Sequence, residues 1–366
     1  MKVGILTLPL SDNYGGMLQA AALYRVLGDM GHEPVLLAKK FWRPVSHQLL
    51  GRLLRAVPGH DYKKTRSMEK ARARHYPFLK RSIPNQVGPL YTDEALSKAI
   101  DTLGLDAVIV GSDQVWRPDY IEDVDTASFF LDLEGDFRKI SYAASFGKSE
   151  WNAPHRLTEV RRMLADFDAV SLREVSGMTL CKETLHRASC TLALDPTMLV
   201  TAGFYDDIIA RPEPVEKPYV LNYVLDHSDV VDAALARALE GPARGSVVKT
   251  LTLNDGANTV DVPNWVRAFK DAEYVVTDSF HGTLFAILFQ KPFVCIGNSK
   301  RGVDRFTSIL DLLGLGHRLV LGMDDLGALD GEVNYASVAP RLEAQRKLSR
   351  AFLEQALAPE RVTADV

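Results

Sequence analysis

Short apolar runs that end in a polar or glycine turn and lead into a helix recur along this chain. They restrict it to an α/β fold with parallel strands. One instance is Glu273–Thr277, then Asp278-Ser279-Phe280-His281-Gly282-Thr283, then Leu284–Phe289. The first run has the length and β-branched content of a buried strand. The last is apolar at almost every position, as in a helix buried nearly all round. In a parallel sheet, turns at the carboxyl ends of strands line the ligand crevice. A helix N-terminus there also offers free N–H groups to an anion. The same hexad has a plainer reading, in which Asp278 or Ser279 caps the helix and His281 is a satisfied, half-buried histidine.

Five other junctions repeat the pattern. Val3–Leu8 reads as a first strand, Ser11–Gly16 as a turn and residues 17–30 as a helix, with Leu18, Ala21, Ala22, Val26 and Met30 at helical spacing. Asp12 or Asn13 suits the cap, and Gly15 and Gly16 let backbone approach a ligand closely. Gln19 either points back at a ligand or is a surface polar residue. This resembles a Rossmann-like opening, but there is no Gly-x-Gly-x-x-Gly, so no dinucleotide site is assigned. The remaining junctions are Asp106–Trp116, Lys139–Gly147, Ala169–Glu174 and Leu192–Thr197. Polar residues at the same end of each strand point to one crevice.

At 366 residues the chain exceeds one usual core, which suggests two domains. The expected division is residues 1–211, then 219–336, with a last helix at 337–358 crossing back to the first domain. Three prolines within 211–218 read as a stiff linker. After it, strands and helices alternate again: helices at 228–239, 262–271 and 304–314, and strands at 246–252, 273–277 and 292–296. Charge is nearly balanced, 43 basic against 47 acidic residues, so nothing global points to nucleic acid. Cys181, Cys190 and Cys295 are scattered, and a reducing cytosol is the default. The span from Lys2 to Ser11 is too short for a signal-peptide core. No run approaches the length of a transmembrane helix. No His, Cys or carboxylate cluster has ligand spacing, so neither a metal nor a cofactor is expected.

Residues 39–81 depart from this rhythm. They hold thirteen Lys or Arg against Asp61 and Glu69, with Leu49, Leu50, Leu53, Leu54 and Val57 as an apolar stripe. Such an insertion either meets an anionic membrane or lipid-linked diphosphate, or is a solvated lid on the first domain.

Taken in order, six pieces resemble the polysaccharide pyruvyl transferase family. They are Asn13-Tyr14-Gly15-Gly16 with Gln19, Gly111–Trp116, Ser141–Gly147, Ser171–Glu174, Asp195-Pro196-Thr197 and Asp278–Thr283. The resemblance spans residues 3 to about 318. It implies a GT-B-like fold, with two Rossmann-like domains facing a cleft. It implies phosphoenolpyruvate as donor substrate and a sugar hydroxyl pair as acceptor, lipid-linked or polysaccharide, yielding a pyruvate ketal and phosphate. The protein is expected in the cytoplasm, at the inner face of the membrane if the acceptor is lipid-linked. It also carries a donor-binding role onto Arg173 and His281. Many family members have an Arg two residues before the His; here Ser279 stands there.

A phosphate and a carboxylate on one small frame suit the fork of arginine. The donor side is expected at Arg173, Ser279, His281 and Gly282, with Asn298, Lys300, Arg301 and Arg305 either supplying the charge missing at Ser279 or forming a solvated loop. The acceptor side is expected at Asn13, Tyr14, Gly15, Gly16, Gln19, Ser112, Asp113, Gln114, Trp116 and Ser145. His281 suits proton transfer or phosphate binding, with Asp278 orienting it or merely capping the helix. Asp113 is a base for a hydroxyl. Asp195 is another base or, as preferred here, a turn former before Pro196. Two other classes remain open: a GT-B glycosyltransferase using a nucleotide sugar, and a non-catalytic relative that binds a glycan or lipid.

Overall fold

A computed structural model describes residues 1–41, 73–121, 123–209, 217–253, 259–298, 302–330 and 332–359. Most of the basic insertion, most of the proline-rich stretch, and Lys300 and Arg301 lie outside them. Seven parallel strands form the first sheet: β1 Lys2–Leu6, β2 Glu33–Lys39, β3 Gln86–Leu90, β4 Ala107–Asp113, β5 Arg138–Ala144, β6 Ala169–Leu172 and β7 Thr191–Leu192. Their order is β3-β2-β1-β4-β5-β6-β7. The second sheet comprises β8 Tyr219–Tyr223, β9 Val247–Leu251, β10 Tyr274–Thr277, β11 Phe293–Ile296 and β12 Leu319–Val320, in the order β12-β11-β10-β8-β9. Every pairing given for either sheet is parallel. The fold is thus two Rossmann-like units.

The helices are α1 Tyr14–Asp29, α2 Asp93–Leu103, α3 Leu157–Ala165, α4 Val175–Glu183, α5 Ala202–Ile209, α6 Asp229–Glu240, α7 Val262–Asp271, α8 Phe280–Leu288, α9 Asp304–Leu313 and α10 Tyr335–Ala356. A further helical stretch covers residues 73–82. α1 begins three residues before the expected start, so Tyr14, Gly15 and Gly16 form its first turn. The central strands β4 and β10 are buried at every position, because helices cover both faces. α8 is buried at every residue from Phe280 to Ile287, which explains its uniform apolarity.

The core continues from one unit into the other. The Tyr14 ring stacks on Trp265 at 5.4 Å, and Trp265 packs on Phe285 at 4.9 Å. α10 touches both units. Tyr335 donates to the Lys291 carbonyl, while Ser349 accepts from Leu194 N–H and Arg346 donates to the Met198 carbonyl. No helix among the described residues is long and apolar enough to cross a membrane.

Candidate active site

Strand order reverses between β1 and β4 in one sheet, and between β8 and β10 in the other. Parallel sheets open their crevices at such points, beyond the carboxyl ends of the strands. Residues from both units converge there.

Arg173 follows β6 and is 4% exposed. Its Nη1 donates to Asp195 Oδ2 at 2.8 Å, its Nη2 stands 3.7 Å from Asp113 Oδ1, and its guanidinium lies 4.4 Å from the Phe280 ring centre. Nε and Nη2 are buried without a hydrogen-bond partner. These two groups share one edge of the planar fork, the edge that grips an oxyanion through two parallel bonds.

Asp195 is the hub. Besides Arg173, it accepts from Ser112 Oγ at 3.1 Å, from Thr197 N–H at 3.0 Å and from Thr197 Oγ1 at 2.8 Å. His281 Nε2 lies 3.5 Å away. Burial pushes the Asp195 carboxyl up, but His281, Arg173 and the Thr197 N–H outweigh burial and hold it well below the usual carboxylate range. His281 is the second residue of α8 and reaches across to α1, where a Cβ on Gly15 would overlap its imidazole. Gly15 therefore allows the histidine of one unit to sit against the other.

Two more buried charges flank this cluster. Arg305, at the start of α9, lies 5.4 Å from the same Phe280 ring. Burial, then the nearby Arg173, pushes its guanidinium down to about 10. Glu174 accepts from Phe146 N–H at 2.8 Å and Gly147 N–H at 3.3 Å. Burial pushes its carboxyl up, against the pull of Arg173 and Arg305.

The structure brings together His281, Arg173, Asp113, Ser112, Gly15 and Arg305. Asn13 joins them, donating to Asp113 Oδ2 at 3.3 Å. Gly16 abuts Asn13. Ser279 caps α8, accepting from Gly282 N–H at 3.3 Å, and Gly282 has no room for a Cβ beside Thr277.

Other expected site residues have structural work. The Asp278 carboxylate accepts from Leu225 N–H at 2.6 Å and Asp226 N–H at 2.9 Å, tying β10 to the end of β8. Asp195 is the acid that faces the histidine. Trp116 is fully buried, stacks on Phe130 and donates to the Phe129 carbonyl, so it belongs to the core rather than the crevice. Gln19 is also fully buried; it donates to Thr7 and Gly16 and accepts from Ser112 N–H. Tyr14 joins the two units: its hydroxyl donates to the Val260 carbonyl at 2.8 Å and accepts from Val260 N–H at 3.1 Å. Burial pushes that phenol up to about 12. Gln114 accepts from Arg117, and Ser145 from Gly147 N–H. Asn298 donates to Asp226 at 2.7 Å.

Sequence reasoning gave Glu174 no role in the site, and it preferred Asp195 as a turn former over a base. An Asp-Pro-Thr triplet signals a turn, and Asp195 does cap one; the cap and the charge hub use the same carboxylate. Among the described residues, no group of three or more His, Cys, Asp or Glu could hold a metal ion.

Solved structures with the same overall fold include UDP-N-acetylglucosamine 2-epimerases. The Neisseria meningitidis enzyme, bound to UDP-GlcNAc, is 10% identical with a TM-score of 0.51, covering 98% of this chain and 99% of its own. The Rickettsia bellii enzyme is 10% identical with a TM-score of 0.52, covering 97% and 95%. At that identity the likeness is one of fold alone, and the fold is GT-B-like. No curated protein matches the chain. The family description for polysaccharide pyruvyl transferase matches residues 13–300, which take in β4 to β6, the Asp195 turn and the His281 turn, and the chain belongs to that family.

Proposed function

We propose that this transferase moves the pyruvyl group of phosphoenolpyruvate onto two hydroxyls of a sugar, forming a ketal and releasing phosphate. The observation that carries the reading is the Nε–Nη2 edge of Arg173, buried without a hydrogen-bond partner, on a residue that shares Asp195 with His281. Buried donors without partners are rare in proteins, and an anionic substrate would satisfy these two.

In this mechanism His281 supplies the proton that the methylene carbon takes up. The first sugar oxygen then bonds to the neighbouring carbon and gives its proton to Asp113. The second sugar oxygen bonds to the same carbon as the carbon–oxygen bond to phosphate breaks; phosphate leaves with the electron pair and takes up the second hydroxyl's proton, and the proton held by Asp113 restores the one His281 gave. Asp195 positions both His281 and Arg173. The acceptor is a lipid-linked or polysaccharide precursor at the cytoplasmic face of the membrane, which suits the surplus of basic residues in 39–81.

Calorimetry with phosphoenolpyruvate tests the donor. The wild type should bind it, and Arg173→Ala should bind roughly ten- to a hundredfold more weakly. Arg173→Lys should recover only part, because an ammonium lacks the planar fork. Unchanged affinity in Arg173→Ala, or tight binding of a nucleoside diphosphate instead, would contradict the reading.

A further inference from the structure

Cys181 lies in the last turn of α4 and is fully buried, and Cys190 stands just before β7 and is half-buried. The fold brings the two together. Both pack in one apolar cluster, and their side chains are hydrogen-bonded to each other. Arg187 holds both residues. Its N–H donates to the Cys181 carbonyl at 2.8 Å, and its carbonyl accepts from Cys190 Sγ at 3.5 Å. Its guanidinium is fixed in turn, with Nη1 donating to the Ala165 carbonyl at 3.1 Å and Nη2 to the Phe167 carbonyl at 2.7 Å, while Nε is buried without a hydrogen-bond partner. The charge of Arg187 acts on both sulfurs. A cation beside a thiol favours the thiolate, which is the reactive form. The two sulfurs are unequal. The bond from Cys181, helped by Arg187, pulls the Cys190 thiol down against its burial, whereas that bond and burial push the Cys181 thiol up.

We propose that Cys181 and Cys190 form a reversible disulfide site whose co-reactant is a small-molecule disulfide. Cys190 gives its proton to solvent, and its sulfur attacks the small disulfide. The S–S bond of that molecule breaks, and one half leaves as a thiolate that solvent reprotonates. Cys181 then attacks the Cys190 sulfur and the mixed S–S bond breaks. The second half leaves as a thiolate and takes up the Cys181 proton. Two protein thiols are oxidised, and one small disulfide is reduced to two thiols. In a reducing compartment the balance stays with the thiols, as in the structure, where both cysteines are free. The closed bond makes a ring of residues 181–190, between α4, which begins just after Arg173 and Glu174, and β7, which leads to Asp195. Oxidation thus braces the backbone between Arg173 and Asp195, whatever the substrate of the site.

The test is incubation of the folded full chain with oxidised glutathione, followed by intact mass and non-reducing peptide maps. The wild type should lose two hydrogens and yield one linked peptide pair, Cys181 with Cys190. Cys295, fully buried in β11, should stay reduced. Dithiothreitol should restore all the thiols. Cys181→Ser should stop at a glutathione adduct on Cys190, and Cys190→Ser should react at least about tenfold more slowly than wild type. If a variant does not fold, the wild-type map decides alone. A lasting adduct on wild-type Cys190, a bond to Cys295, or no reaction by the folded chain overturns the proposal. Oxidised wild type should also melt higher than reduced, because the ring restricts the unfolded chain. A lower melting temperature would mean that the thiols were forced together, and it too overturns the pre-set pair.

Discussion

At the site, Gly15 of one unit faces His281 of the other with no room for a Cβ between them. Alanine in place of glycine normally strengthens a helix by about 0.5–1 kcal/mol. At Gly15 the added methyl would overlap the imidazole, so Gly15→Ala should instead destabilise by about 1–3 kcal/mol. It should also slow turnover by about 10²-fold, since a displaced catalytic group loses most of its effect. Melting curves and rates check both, and a more stable, fully active variant would contradict this packing. His281→Ala should fold and lose about 10²–10⁴ in turnover; near-normal phosphate release would end its proposed role. For Asp195 the sign follows from its depressed carboxyl. Its stabilising contribution is present above the ordinary aspartate value near pH 4 and is lost as pH falls through the lower folded-state value. Asp195→Asn should therefore destabilise at neutral pH, by about 3–5 kcal/mol as for a broken buried pair, with the gap to wild type narrowing in acid. Urea melts at several pH values would show it, and a gap independent of pH would contradict it.

At the scale of elements, the strand-to-turn junctions were legible because each is local: an apolar β-branched run, a polar turn, a helix. The six that were read lie at the carboxyl ends of β1, β4, β5, β6, β7 and β10. What each polar residue does there was less legible, because it depends on partners far along the chain. Asp278 bonds to N–H groups more than fifty residues away, and Trp116 belongs to an aromatic cluster with Phe130, Phe146 and Phe167. Asp195 looked like a turn former because it is one. Tyr14 follows the same pattern: beside two glycines it reads as a ligand residue, yet its hydroxyl clasps both backbone groups of Val260 from the other unit. Tyr14→Phe should keep the stacking on Trp265 but strand those groups, lowering stability by about 1–3 kcal/mol. An unchanged melting temperature would mean that the clasp contributes nothing.

At the scale of the whole molecule, the site exists because two Rossmann-like units meet at their strand ends, with Arg173, Asp195 and Asp113 from one and His281 and Arg305 from the other. Neither unit alone holds the full set of charges. Outside this cluster, residues 39–81 concentrate basic charge at one place in the sequence. If that segment serves a lipid-diphosphate acceptor, Lys63, Lys64 and Arg66 changed to Glu should depress turnover on that acceptor and spare a small soluble one. Added salt should act likewise, because such attraction is screened within about 8–10 Å. Equal responses from both acceptors would make the segment a solvated lid. The central claim is the transfer itself. Isotope-labelled phosphoenolpyruvate, incubated with the enzyme and candidate lipid-linked or polysaccharide acceptors, should yield a glycan carrying the labelled pyruvyl ketal, with one phosphate released per ketal. The product should vanish in His281→Ala. Label that never enters any glycan, while a nucleotide sugar is consumed by the same preparation, would contradict the account.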